Sequence, residues 1–316
     1  MCVRCFLSPS TSLRINLKKQ CYSLNEVTRG FFSIFAILGL LLLAVLGSFY
    51  FVKHKTQIAI GPQQTQFTTP TPTPTPTPFV FSTYVPLKIE KKDLYIVFMI
   101  GDSMTHALGP RGGTMNQFIN ELYKGDNIFI SIDNYARGSS NILDVDEQLN
   151  KQTTYWDSTF EPLLSRDFDL ILVESFGYNP LSKFGLEEGI KRQNQALTDL
   201  MTTLVSTHPN SAVVFVATIA PSKEKYALNI LKDIPAEDRS KQAEERMTYI
   251  KNHISYAQSH NIPFINIFEK SLNEQGDGDL KYINPDDYIH PSHEGVDFIG
   301  HEIANFIYTN QILPRR

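Results

Sequence analysis

Cysteine is nearly missing from this chain. Only Cys2, Cys5 and Cys21 are present among 316 residues. Everything beyond residue 21 therefore folds and works without disulfides or thiolate chemistry, which suits either side of a membrane. The early cysteines could be lipidated or form half of a zinc site completed by a partner. As free thiols in a short tail they need no role. A basic excess is missing too: 29 Lys and Arg stand against 33 Asp and Glu, a net charge of −4. With no positive surplus, zinc-finger pattern or P-loop, nucleic acid is not an expected partner. No Gly-x-Ser-x-Gly occurs, which argues against the nucleophile elbow of the α/β-hydrolases.

One long apolar run is present. Residues 31–52, FFSIFAILGLLLLAVLGSFYFV, carry no charge. About 20 apolar residues suffice to span a bilayer, whereas a cleaved signal has a core of about 7–15 followed by small residues. Phe49, Tyr50, Phe51 and Val52 are bulky, so the run reads as an uncleaved transmembrane helix. Arg4, Arg14, Lys18, Lys19 and Arg29 precede it, and only Lys53 and Lys55 follow closely. Flanking positive charge stays in the cytoplasm. Residues 1–30 are thus expected to be a cytoplasmic tail, with the remainder extracytoplasmic on a single-pass anchor.

Residues 53–90 read as a linker. Its centre, GPQQTQFTTPTPTPTPTP, ends at Pro78. Alternating Thr-Pro excludes helix and central strand and favours an extended polyproline-like stalk. Its threonines are candidates for O-glycosylation, or simply part of a bare spacer.

Residues 91–316 alternate short apolar runs with amphipathic stretches. Strands are expected at 94–100, 127–132, 169–173, 212–219 and 263–268, and helices at 114–123, 187–206, 236–259 and 294–308. Runs apolar throughout suit strands buried on both faces of a parallel sheet. The alternation predicts a three-layer α/β sandwich with right-handed crossovers. Ligands of such sheets bind at the carboxyl ends of the strands.

Unusual residues cluster at those ends. Gly101-Asp102-Ser103-Met104-Thr105 follows the first strand. A serine there can present its hydroxyl to a cleft, although Asp-Ser is also an ordinary helix cap. Asp287-Tyr288-Ile289-His290-Pro291-Ser292 lies between the fifth strand and the last helix. A serine hydroxyl needs a base, and the base needs an orienting carboxylate. An Asp three residues before a His supplies that pair from one loop. Residues 134–140, NYARGSS, and 177–180, GYNP, follow the second and third strands. They offer the Gly138 backbone and the Asn179 amide as donors for an oxyanion, beside the Ser103 backbone.

In order, GDSMT, the glycine of ARGSSN, GYN and DYIHP resemble the four blocks of the SGNH, or GDSL, hydrolases across residues 91–316. The resemblance implies a flavodoxin-like α/β/α sandwich of about five parallel strands, no cofactor, and ester hydrolysis through an acyl-serine. Ser103 then corresponds to the nucleophile, His290 to the general base and Asp287 to its orienter. Ser103, Gly138 and Asn179 correspond to the oxyanion hole. The chain departs from the family at Pro180, where the third block usually carries Asp.

Two other readings stand beside this one. In an alkaline-phosphatase-like metal enzyme, Asp102 and the set Asp287, His290 and His293 would be ligands. A non-catalytic glycan-binding module on a stalk would leave Ser103 idle. For an outward-facing esterase, the expected substrate is a small-molecule or glycan ester of the cell envelope, with O-acetyl groups first. The charged run 221–239 is a candidate wall of the acceptor site.

Overall fold

The computed structural model describes residues 81–155 and 158–315. The expected tail, transmembrane helix and Thr-Pro stalk lie outside the described residues. Among the described residues no helix is long and apolar enough to cross a membrane.

Five parallel strands form the central sheet. They are β1 (Leu94–Ile100), β2 (Phe129–Asn134), β5 (Leu170–Glu174), β6 (Ala212–Ala217) and β7 (Phe264–Asn266), ordered β2-β1-β5-β6-β7. Counting only these strands, the order is 2-1-3-4-5, the flavodoxin-like winding, with its switch point between β1 and β5. A short antiparallel pair, β3 (Thr153–Tyr155) and β4 (Ser158–Phe160), stands apart from it.

Every residue of β5 and β6 is buried, which is why these strands lack alternation in sequence. Side chains of alternate parity serve two cores. Val97, Met99, Leu172 and Val214 face one, with Met115 and Ile119 of α2 (Gly113–Tyr123) and Ile299 and Ile303 of the last helix, His293–Thr309. Phe98, Ile171, Val173 and Phe215 face the other, with Leu197 and Leu200 of α4 (Leu186–Thr207) and Tyr249 and Tyr256 of α5 (Ala236–Ser259). Full burial of each such side chain contributes about 1.5–3 kcal/mol. The remaining helices are short: α1 (Ser103–His106), α3 (Val145–Asn150) and α6 (Ile267–Lys270), so the last helix is α7.

The expected elements are present with shifted ends. β2 runs two residues past the apolar run, because Asp133 and Asn134 pair with Phe98 and Met99. Their buried polar side chains are satisfied elsewhere. Asp133 takes Arg111 and Arg166 (2.7 Å), and Asn134 bonds the Thr105 and Gly109 carbonyls. The sequence reading ends the linker at residue 90, whereas residues 81–90 already pack on the sheet's surroundings. Phe81, Tyr84 and Ile89 are buried, and the Tyr84 hydroxyl accepts from the Val213 N–H at 2.9 Å.

Candidate active site

The site is assembled at the carboxyl ends of β1, β2 and β5 and on the loop before α7. β1 stops at Gly101, where a Cβ would lie 2.7 Å from the Glu174 Cβ and 2.8 Å from the Thr105 Oγ1. Only glycine lets the chain turn there. The turn is clamped from both sides. The Gly101 N–H donates to the Gln148 Oε1 (3.2 Å), and the Gly101 carbonyl accepts from the Gln148 Nε2 (3.0 Å), the Ser140 Oγ (3.2 Å) and the Arg137 N–H (3.1 Å).

Asp102 is fully buried and caps α1, accepting the Met104 N–H at 2.9 Å. Ser103, the first residue of that helix, is partly exposed. Its hydroxyl is thus presented from a fixed backbone rather than from a free loop. Asn134 secures Thr105 of the same helix and Gly109 in the turn beyond it, bonding their carbonyls at 2.8 and 2.9 Å.

Gly138 is exposed at the tip of the turn between Arg137 and Ser140. Its neighbours, not Gly138 itself, make the bonds to Gly101. Asn179 follows a tight turn in which Phe176 adopts φ +53° and Gly177 packs on Ile250 so closely that a Cβ would sit 2.3 Å from its Cγ1. The Asn179 Nδ2 donates to the Asp102 Oδ2 at 3.2 Å. An amide nitrogen carries two hydrogens, so one is left for a ligand. Asp102 thus supports Asn179, the residue before Pro180.

Asp287 and His290 sit on a self-closed loop. The His290 Nδ1 meets the Asp287 Oδ2 at 2.6 Å, while the Asp287 Oδ1 accepts from the Ile289 and His290 N–H groups at 2.8 and 3.0 Å. Tyr288 between them has φ +56°, a costly conformation for a large side chain. The Asn284 N–H donates to the His290 carbonyl at 2.8 Å, and an isolated bridge joins Ile283 to Pro291. With Nδ1 engaged by the carboxylate, the His290 Nε2 is the ring nitrogen left to exchange a proton.

His106, which sequence reasoning passed over, links the two parts. Burial, and then the charge of His290, push its imidazole below the usual histidine range. The helix that carries Ser103 and the Asp-His loop are therefore electrostatic neighbours. Glu174, Gln148 and Asn134 were also missed. Each acts through partners roughly 25 to 70 residues away, and only an isolated polar residue at a strand end hinted at any of them.

Among the described residues no three His, Cys, Asp or Glu side chains are arranged to hold a metal ion. Asp287 and His290 meet, but His293 opens α7 in an exposed position, so the D-x-x-H-x-x-H run does not form a ligand set.

The family profile described as GDSL-like Lipase/Acylhydrolase matches residues 97–303. No curated protein matches the chain. Solved structures similar to it include the lipase/acylhydrolase from Enterococcus faecalis, 16% identical, covering 68% of this chain and 96% of that one with a TM-score of 0.47. A lipase from a goat rumen metagenome is 14% identical, covering 68% and 98%, with a TM-score of 0.48. An acetylxylan esterase from Geobacillus stearothermophilus is 13% identical, covering 67% and 94%, with a TM-score of 0.42. The profile spans well over half of the chain and takes in Ser103, Gly138, Asn179, Asp287 and His290: the chain belongs to the GDSL-like lipase/acylhydrolase family.

Proposed function

We propose that this serine ester hydrolase removes short acyl groups, O-acetyl first, from glycans of the cell envelope, and that residues 31–52 anchor it with the catalytic unit outside. The observation that carries the catalytic part is the Asp287–His290 contact of 2.6 Å on one side and the Asp102–Asn179 strut of 3.2 Å on the other. Together they supply an oriented base and a held donor, the two parts that a serine nucleophile requires.

The roles follow from the chemistry. The His290 Nε2 takes the Ser103 hydroxyl proton as Oγ attacks the ester carbonyl. The Ser103 and Gly138 N–H groups and the Asn179 amide receive the oxyanion. His290 returns the proton to the departing alcohol as the C–O bond breaks, leaving an acyl-serine. Water then repeats the sequence, with His290 taking its proton and Ser103 regaining one as the carboxylic acid leaves. Each oxyanion donor is worth about 10²–10³ in rate.

Support for a polar substrate comes from the 221–239 run. The Ala227 N–H donates to the Tyr288 carbonyl (3.2 Å) and the Asn229 amide to the Pro285 carbonyl (2.8 Å), so this charged segment borders the Asp-His loop. Lys223, Glu224, Lys225, Lys232 and Asp233 lie on it, a poor lining for a long alkyl chain. The anchor and its orientation rest on the apolar run and its flanking charge alone.

The test is a substrate panel run with the wild type and Ser103→Ala: acetylated glycans against p-nitrophenyl esters of short and long acyl chains. The reading expects acetyl release from glycans and falling kcat/KM as the chain lengthens, all lost in the variant. Preference for long chains would overturn the substrate assignment. Activity undiminished in Ser103→Ala would overturn the site. Protease protection of the intact chain in membrane vesicles tests the orientation.

A further inference from the structure

Two carboxyl groups meet in the floor beneath the nucleophile turn. Asp102 is 0% exposed and Glu174 2%. The Glu174 Oε2 accepts the Asp102 N–H at 3.2 Å, its Oε1 accepts the Ser175 hydroxyl at 2.5 Å, and the Phe176 N–H also bonds this carboxyl. Asp102 gathers donors in turn: the Met104 N–H at 2.9 Å, the Asn179 Nδ2 at 3.2 Å and the Tyr178 N–H, with the Glu174 carboxyl beside it.

No cation touches the pair to balance two negative charges. No lysine or arginine bonds either carboxyl among the described residues. The neighbours are Val216 of β6 and Thr218 just after it, Ile299 and Ile303 of α7, and Met104 and Thr105 of α1, around a cavity of about 10 Å³ that Glu174 shares. The titratable groups facing them are the Tyr178 and Tyr226 phenols, which burial holds above their usual range and thus uncharged, and the nearby cation, Arg246, lies 4.7 Å over the Tyr226 ring and bonds neither carboxyl. Adjacent buried carboxyls without a cation cannot both ionise. Burial first, and then the charge of Asp102, favour the proton staying on Glu174.

We infer that Glu174 is a positioning residue of this hydrolase: as a neutral carboxylic acid it donates its proton to the Asp102 carboxylate and so fixes the strut between the Ser103 turn and Asn179. The inference rests on the roles given above to Ser103 and Asn179. Gly101 belongs to the same device, since its missing side chain leaves room for Glu174 directly under the turn. Glu174 touches no reacting atom. It acts by holding the donor that does, and displacements of about 1 Å at such a donor cost roughly 10²-fold in rate.

The test uses the full chain in detergent as wild type, Glu174→Gln, Glu174→Ala and Ser103→Ala. Infrared difference spectra of wild type against Glu174→Gln at neutral pH should show the carbonyl stretch of a protonated carboxylic acid. With p-nitrophenyl acetate, Glu174→Gln should keep kcat within about threefold, because an amide N–H replaces the acid O–H. Glu174→Ala should lose about 10- to 100-fold in kcat with little change in KM. If Glu174→Ala fails to fold, the spectrum and the Gln variant still decide. Carboxylate bands alone at residue 174, or a folded Gln variant with kcat down more than about tenfold, would overturn the inference. A folded Ala variant with unchanged kcat would do the same. Ser103→Ala separates the two levels: activity surviving in it refutes the reading of the site, whereas activity lost in it with Glu174→Ala unaffected refutes only the role of Glu174.

Discussion

Asp102 and Asp287 are both aspartates of the site, and the fold treats them in opposite ways. Asp102 is wholly buried, its carboxylate bonded by two backbone N–H groups, an amide and a second carboxyl. Asp287 keeps 17% of its side chain exposed and spends both oxygens within its own short loop, on Ile289 and His290. The first is held by the ends of the sheet and the second by a strained turn. In the proposed mechanism the nucleophile must be fixed relative to its oxyanion donors, and the support beneath Ser103 is built into the core. The proposed base must exchange protons with substrate and water, and the His290 side chain is 40% exposed. Buried polar networks rigidify only when every member is satisfied, and the Gly101–Asp102 floor meets that condition.

This contrast is best broken at the exposed side first. Asp287→Asn keeps the shape of the loop but loses the charge that orients His290, and kcat should fall about 10³- to 10⁴-fold with the melting temperature nearly unchanged. Steady-state kinetics and a thermal melt check both. On the buried side, Asn179→Ala removes one donor and should cost about 10²–10³ in kcat with KM little affected. Gln148→Ala unclamps Gly101 without touching a reacting group. It should cost about tenfold in kcat and, unlike Asp287→Asn, lower the melting temperature, because the Gly101 N–H is left buried and unpaired.

The smallest effect on catalysis is expected at His253, which is fully buried and stacks on Phe215 at 4.4 Å. Burial pushes its pKa down to about 3, the Val173 backbone offsetting this only in part. The unfolded chain takes up that proton near the ordinary histidine value of about 6.5. Stability from this group is therefore complete above about pH 6.5 and declines as pH falls toward 3. His253→Leu should leave kcat at neutral pH unchanged and flatten the acid side of the melting-temperature profile. An unchanged acid slope would remove His253 from the account.

The sequence disclosed the outward-facing chemistry better than its support. The apolar run 94–100 and its stop at Gly101 marked both the strand and the turn that carries Ser103, because burial on both faces and a forced turn each leave a compositional trace. Asp287 and His290 were legible because their partnership is local, three residues apart. Glu174, Gln148 and Asn134 were not, since each bonds backbone from a distant segment and looks in sequence like any polar residue. The β3–β4 pair was missed because three-residue strands are too short to show a period. β7 was read as 263–268, but the chain turns into α6 at Ile267, where Asn266 caps the helix through the Glu269 N–H.

Labelling of the intact chain with a fluorophosphonate, followed by peptide mass spectrometry, tests the central claim most directly. The account predicts one phosphonylated residue, Ser103, with labelling abolished in Ser103→Ala and slowed in Asp287→Asn. A chain that hydrolyses esters while Ser103 stays unmodified, or that is labelled equally well in Ser103→Ala, would contradict it.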